Sequence, residues 1–181
     1  MTNLELTRRA IALLAAGTPS SPWWEMEAEV SSCIPYAMQE LANAVAADHE
    51  RYGLLMQDYS VTLTNGAGNL LTVTGAVTSA ADILWRSVAK GIVKDAYGER
   101  LHYVPDAFTF EGAQLAGYNL FTLVNPNILV RTPTGPFTLG NVADPLSIKA
   151  NFIPTVTTVP EELEDDAVRL LAKIAAQKIG A

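Results

Sequence analysis

The sequence predicts an α+β domain, and three observations carry that prediction. Apolar residues recur at helical spacing at both ends of the 181-residue chain, over about 3–16, 22–50 and 160–178. Between them, about 54–157 shows the alternation expected of strands. Asn- and Gly-rich turns punctuate that middle at hairpin spacing. Helices segregated from a run of strands make an antiparallel β-meander with helices packed on it, and the whole of 1–181 is expected to form a single domain.

The first helix, about 3–16, begins at Thr2 or Asn3 as cap, aligns Leu6, Ala10, Leu13 and Leu14 on one face, and stops at Gly17. The second has Ser21 as cap and Pro22 at its first position. Trp23, Met26 or Glu27, Val30, Ile34, Met38, Leu41 and Val45 then keep one phase through Pro35. That phase predicts one helix over about 22–50, kinked where Pro35 removes a donor and meets the Ser31 carbonyl. The alternative is two helices meeting at Ser31 and Ser32. The closing helix, about 160–178, places Pro160 first and crowds Glu161, Glu162, Glu164, Asp165 and Asp166 at the positive end of the dipole. Arg169, Lys173 and Lys178 lie toward the negative end, Leu163, Ala167, Leu170, Leu171 and Ile174 form the apolar stripe, and Gly180 ends it.

In the middle, 54–64 and 70–74 flank the turn signal Asn65-Gly-Ala-Gly-Asn69. Residues 78–82 cap a short helical turn through Leu84 and Trp85, with a longer helix over 79–94 as the competing reading. Residues 88–94 and 100–104 flank Asp95-Ala-Tyr-Gly98, and 118–124 and 128–132 flank Asn125-Pro-Asn127. Residues 105–115 are irregular or a single turn. Residues 133–145, with Pro133, Gly135, Pro136, Gly140 and Pro145, form an exposed loop before a last strand over 146–157.

Composition excludes several classes. Hydrophobic residues make up 49% and charged ones 17%, so the chain can build a core and is not a disordered tract. No apolar run approaches the roughly 20 residues of a bilayer span, and Glu5 breaks any secretory-signal pattern, so no membrane association is expected. The net charge is −7, and the twelve basic residues are scattered, with no run longer than Arg8-Arg9, which disfavours tight nucleic-acid binding. An acidic surface does suit DNA that must slide past without adhering.

No catalytic constellation emerges. Cys33 is the only cysteine and sits in an apolar-periodic stretch, where a small buried hydrophobe is the simpler reading. His49 and His102 lie far apart: the first, beside Asp48 and Glu50, fits a surface residue, and the second a half-buried cross-strand partner. One Cys and two His do not make a zinc site. Asp106 with Glu111, and Glu25 with Glu29, are conceivable acid pairs, but the second fits a solvated helix face. The Asn65–Asn69 glycines lie between strands and lack a lysine, so they mark a hairpin rather than a phosphate cradle. No metal or cofactor is expected.

Trp23 and Trp24 are the better interaction candidates. Neighbours on a helix point about 100° apart, so one joins the core and the other faces outward, where aromatics favour interfaces. Loop residues Phe137 and Leu139, among prolines and glycines, are candidates for ordering on contact.

Several segments together resemble the head-to-tail adaptors, or connector proteins, of the tailed-bacteriophage neck. They are Leu6-x-x-Arg9-Ala10-x-x-Leu13-Leu14, Trp24-Glu25-x-x-x-Glu29 and Ile34-Pro35-x-Ala37-x-x-Glu40-Leu41-Ala42. The turn Asp95-Ala-Tyr-Gly98-x-Arg100-Leu-His-Tyr-Val-Pro105, the hairpin 118–131 and the closing Val159-Pro160…Leu163 helix are similar to the family's later portion. The resemblance implies a non-enzymatic virion protein, assembled in the host cytoplasm as a ring, commonly of twelve copies. Such a ring sits below the portal protein, contacts the next neck or tail component and lets DNA pass. The interface expected on this basis gathers Trp23 and Trp24, Asn65 and Gly66 at one hairpin tip, Asn127 and Arg131 on another, Phe137 and Leu139, and Gln177 and Lys178 at the C-terminal end. A tail terminator or tube component, and from a different class a small-ligand-binding domain, are the alternatives.

Overall fold

The computed structural model describes residues 1–62, 64–65, 71–72, 83–88, 92–94, 98, 100–105, 120–124, 127–131 and 145–180. The architecture is α+β, and the chain divides into two compact units, Met1–Leu55 with Ile153–Ala181, and Met56–Phe152.

The first unit is helical. Helix α1 (Asn3–Ala15) starts with a capping box: Glu5 N–H donates to Thr2 Oγ1 (3.2 Å) and Thr2 N–H to Glu5 Oε2 (3.4 Å). Its buried face is Leu6, Thr7, Ala10, Ile11 and Ala15. The predicted face is therefore corrected: it turns toward Ile11, and Leu13 is exposed. Leu6 and Ala10 belong to either choice, since Ile11 and Leu13 flank them on opposite sides. The helix stops one residue before the expected glycine, because Ala16 already adopts the left-handed region (φ 46, ψ 36) ahead of Gly17 (φ 75). A side chain is strained there, so Ala16→Gly is expected to stabilise the protein by about 0.5–1 kcal/mol. Chemical denaturation checks this, and an unchanged or lowered midpoint would refute it.

The long second helix is also corrected. It is a 3₁₀ turn (Pro22–Glu25), α2 (Glu27–Ser32) and α3 (Ile34–Ala47), with breaks at Met26 and Cys33. The break nearly matches the alternative of two helices meeting at Ser31 and Ser32. Starting α3 afresh at Ile34 puts Pro35 in a first turn, where its missing N–H leaves no gap in the ladder. The hydrophobic phase survives because α3 buries Ile34, Ala37, Met38, Leu41, Ala42, Val45 and Ala46. Ser21 occupies the cap position of the 3₁₀ turn, but its side chain makes no capping bond.

At the other end, Pro160 is extended (φ −57, ψ 147) and caps a 3₁₀ turn (Glu161–Leu163) instead of opening the helix. Leu163 N–H donates to the Pro160 carbonyl (2.9 Å), and the α-helix begins at Glu164. We label it α5 (Glu164–Ile179). It buries Ala167, Val168, Leu171, Ala172, Ile174 and Ala175, while Leu170 is only half-buried.

The second unit contains β1 (Met56–Thr62), β2 (Thr64–Asn65), β3 (Leu71–Thr72), a short α4 (Trp85–Val88), β4 (Ile92–Lys94), β5 (His102–Tyr103), β6 (Leu120–Val124), β7 (Asn127–Arg131) and β8 (Pro145–Asn151). Among the described residues, one sheet has the order β1-β8-β4 and the other β2-β3-β7-β6-β5. The central β8 shows the strand period, with Ile148 and Ala150 buried and Ser147 and Lys149 exposed. Tyr59 pairs with Ile148, and Ile148 also pairs with Val93. The expected strand over 146–157 ends early, since Pro154 cannot donate to a ladder and the residue before it is restricted.

The first expected strand splits: β1 joins β8, and only β2 closes a hairpin with β3, pairing Asn65 with Leu71. The hairpin of 88–94 with 100–104 exists at its neck, through the Lys94–Arg100 bridge and Leu101 N–H donating to Val93 O (2.8 Å), with Gly98 at φ 84 in the turn. Beyond the neck, β5 runs parallel to β6, and Tyr103 packs on Phe121 with ring centroids 5.4 Å apart. β6 and β7 form the predicted antiparallel hairpin, Val124 opposite Asn127. Most of the 133–145 loop and the 105–115 segment lie outside the described residues.

Candidate functional site

The acids at the start of α5 do more than favour a helix dipole. Arg9 of α1 reaches Glu164 Oε2 (3.2 Å) and Asp165 Oδ1 (2.6 Å). The N-terminal amine lies 3.6 Å from Glu164 Oε1. Arg51, just past α3, reaches Asp166 Oδ2 (2.5 Å) and Asp48 Oδ2 (3.1 Å). The Asp166 hydrogen bond raises the Arg51 pKa above its ordinary value, with desolvation opposing it. The arginines and their carboxylate partners are partly exposed, so each of these pairs contributes at most about 1 kcal/mol.

At the opposite end of α5, Lys178 Nζ lies over the Tyr36 ring, 2.9 Å from its centroid. Tyr36 is near the start of α3 and Arg51 beyond its end, so α3 and α5 run antiparallel, tied at both ends.

The two tryptophans differ in exposure, as expected of neighbours, but neither joins the core. Trp23 is half-buried against the end of α5. A Cβ at Gly180 would stand 3.3 Å from Trp23 Cζ2 and 2.8 Å from the Ala176 carbonyl oxygen, so Gly180 permits a close approach as well as ending a helix. Trp24 is 47% exposed, and its indole Nε1–H donates to the Thr18 carbonyl (3.0 Å). The ring is thus presented to solvent in a held orientation.

Of the other predicted interface residues, Gln177 and Lys178 are exposed on the last turns of α5. Asn65 lies on β2, Asn127 and Arg131 at the two ends of β7. Gly66, Phe137 and Leu139 lie outside the described residues. The structure places Trp23, Trp24, Gln177 and Lys178 on the helical unit and Asn65, Asn127 and Arg131 on the other.

Sequence reasoning missed an open cleft of about 310 Å³ between α3 and α5. Leu41, Ala44 and Leu170 supply its apolar lining, and Arg51, Asp166, Arg169 and Lys173 its charges. A signal was present: Arg169 and Lys173 are four apart on a helix, hence on one face, beside Leu170 at the edge of the apolar stripe. Among the described residues neither cation takes part in an ion pair. What the sequence withheld was that α3 supplies the other wall.

The residues weighed for chemistry are dispersed. Cys33 is buried, its Sγ 3.6 Å from the Glu29 carbonyl. His49 is exposed, and His102 on β5 is exposed rather than half-buried. Glu25 and Glu29 are both exposed, and Asp106 and Glu111 lie outside the described residues. Among the described residues no three His, Cys, Asp or Glu side chains converge, and no helix is long and apolar enough to cross a membrane. No protein-family model matches the chain, and no curated protein is detectably similar to it in sequence.

Proposed function

We propose that the protein is a structural component of a tailed-phage virion, a head-to-tail adaptor that assembles as a homo-oligomeric ring below the portal. The resemblance of its helical and turn segments to neck proteins motivates the reading. The observation that carries it is Trp24, a large aromatic left 47% exposed and anchored through Nε1. An aromatic held in place and facing water suits a contact anchor, because little conformational freedom remains to be lost on binding. The net charge of −7 suits a lumen through which DNA slides. The α3–α5 cleft is small and open, which does not favour the ligand-binding alternative, whose site would enclose most of its ligand.

The test is native mass, by light scattering or mass photometry, with and without a portal ring. Rings formed alone or on the portal are the expected result, and a strict monomer that ignores portal rings would refute the proposal. Trp24→Ala is expected to reduce the assembled fraction while lowering folding stability by no more than about 1 kcal/mol. Loss of both in equal measure in a thermal melt would remove Trp24 from the interface.

A further inference from the structure

The α3–α5 cleft is a cationic feature on an acidic chain. Arg51 is already engaged by Asp166 and Asp48, which leaves Arg169 and Lys173 as exposed cations with no ion-pair partner among the described residues. They stand about 6 Å apart along α5, beside an apolar lining of Leu41, Ala44 and Leu170. The volume, about 310 Å³, is at the lower limit of small-molecule pockets and suits a single aromatic side chain better than a cofactor.

The same helical unit carries the complement elsewhere. In the segment Trp24–Glu29, Trp24 is anchored and exposed, and Glu25, Ala28 and Glu29 are exposed. Glu27 pairs with Arg8 (3.4 Å), whereas Glu25 and Glu29 take part in no ion pair among the described residues. One aromatic with two carboxylates matches one apolar cleft with two cations.

We propose that the α3–α5 cleft receives the Trp24–Glu29 segment of a second copy of this chain, Trp24 against Ala44 and Leu170, which retain exposed surface at its mouth, and Glu25 and Glu29 against Arg169 and Lys173. Donor segment and cleft are different patches of one chain, and we take each copy to give its segment to one neighbour and its cleft to another, a head-to-tail contact that forms a ring when the rotation between copies closes. The inference rests on the self-assembly reading and specifies its contact.

Charge reversal tests it on the full chain, by native mass alone and on a portal ring. Arg169→Glu with Lys173→Glu, and separately Glu25→Lys with Glu29→Lys, are expected to weaken self-association at least about tenfold, since like charges then face each other. The chain carrying all four reversals is expected to recover assembly, because the attraction is restored with its sign exchanged. All four side chains are exposed, and thermal melts confirm folding. Should a reversal impair folding, glutamine at the same positions replaces it, with weakened assembly again expected. If wild type assembles and either reversed pair assembles equally well, the cleft contact is wrong while the ring reading stands. The contact is equally overturned if both pairs fail and the fourfold variant is not rescued, or if wild type stops at a closed dimer. A wild type that stays monomeric alone and on the portal overturns the contact and the ring reading together.

Discussion

Leu171→Ala is expected to destabilise the helical unit by about 2–5 kcal/mol, a large part of the 5–15 kcal/mol that holds a typical domain folded. Leu171 is 0% exposed, midway along the α5 face that also buries Ala167, Val168, Ala172 and Ala175. Three of those neighbours are alanines, so the helix packs closely and has few long side chains able to swing into the space left behind. A cavity that does not collapse puts the loss in the upper part of the range. Urea denaturation measures it, and a loss below about 1 kcal/mol would mean that the α5 face is not the core of this unit. Leu13→Ala is the control: Leu13 is exposed on α1, and its truncation should cost no more than about 0.5 kcal/mol. Comparable losses at the two positions would restore the helix face that periodicity alone suggested.

That contrast shows what the sequence could and could not specify. A cap at Thr2 or Asn3 was legible because capping chemistry is local, and the structure selects Thr2, with Glu5 completing a capping box that the sequence reading did not name. The choice between Ile11 and Leu13 was not, since both flank the same Leu6–Ala10 line and only the position of the neighbouring helices decides. Pro35 was legible as a disturbance but not as a first-turn residue, because the apolar phase runs on unbroken across Cys33. The β6–β7 hairpin could be read from its turn. The β1–β8 ladder joins Met56 to Asn151, and no local signal specifies so distant a partner. The candidate contact surface divides the same way. The tryptophan pair announced itself by adjacency, whereas the cleft needs α3 and α5, from opposite ends of the chain, to meet.

Ser87→Ala is expected to cost about 1–3 kcal/mol, although it removes a single atom. Ser87 is 1% exposed at the end of α4, where its hydroxyl donates to the Leu84 carbonyl (2.7 Å) and accepts from the Asn151 backbone N–H (2.9 Å). Asn151 is itself buried at the end of β8, the central strand of its sheet, so removing this acceptor withdraws a hydrogen bond where water cannot readily replace it. The adjoining Leu84 N–H bond to the Asn151 carbonyl (2.9 Å) remains, which confines the loss to the bonds the hydroxyl itself makes. Hydrogen exchange reads it directly: the Asn151 amide should exchange faster in the variant, while the Leu101 amide, bonded to Val93 O, keeps most of its protection. Ser87→Cys keeps a weak donor and acceptor at the same position in a somewhat larger side chain, and should fall between wild type and alanine. A cysteine variant as impaired as alanine would make the hydroxyl's geometry decisive, and an alanine variant as stable as wild type would remove this bond from the forces holding β8. Set beside Leu171→Ala, the experiment also separates the two units. If they unfold together, either substitution lowers one common transition. If they unfold separately, Ser87→Ala moves only the transition of Met56–Phe152 and Leu171→Ala only that of the helical unit.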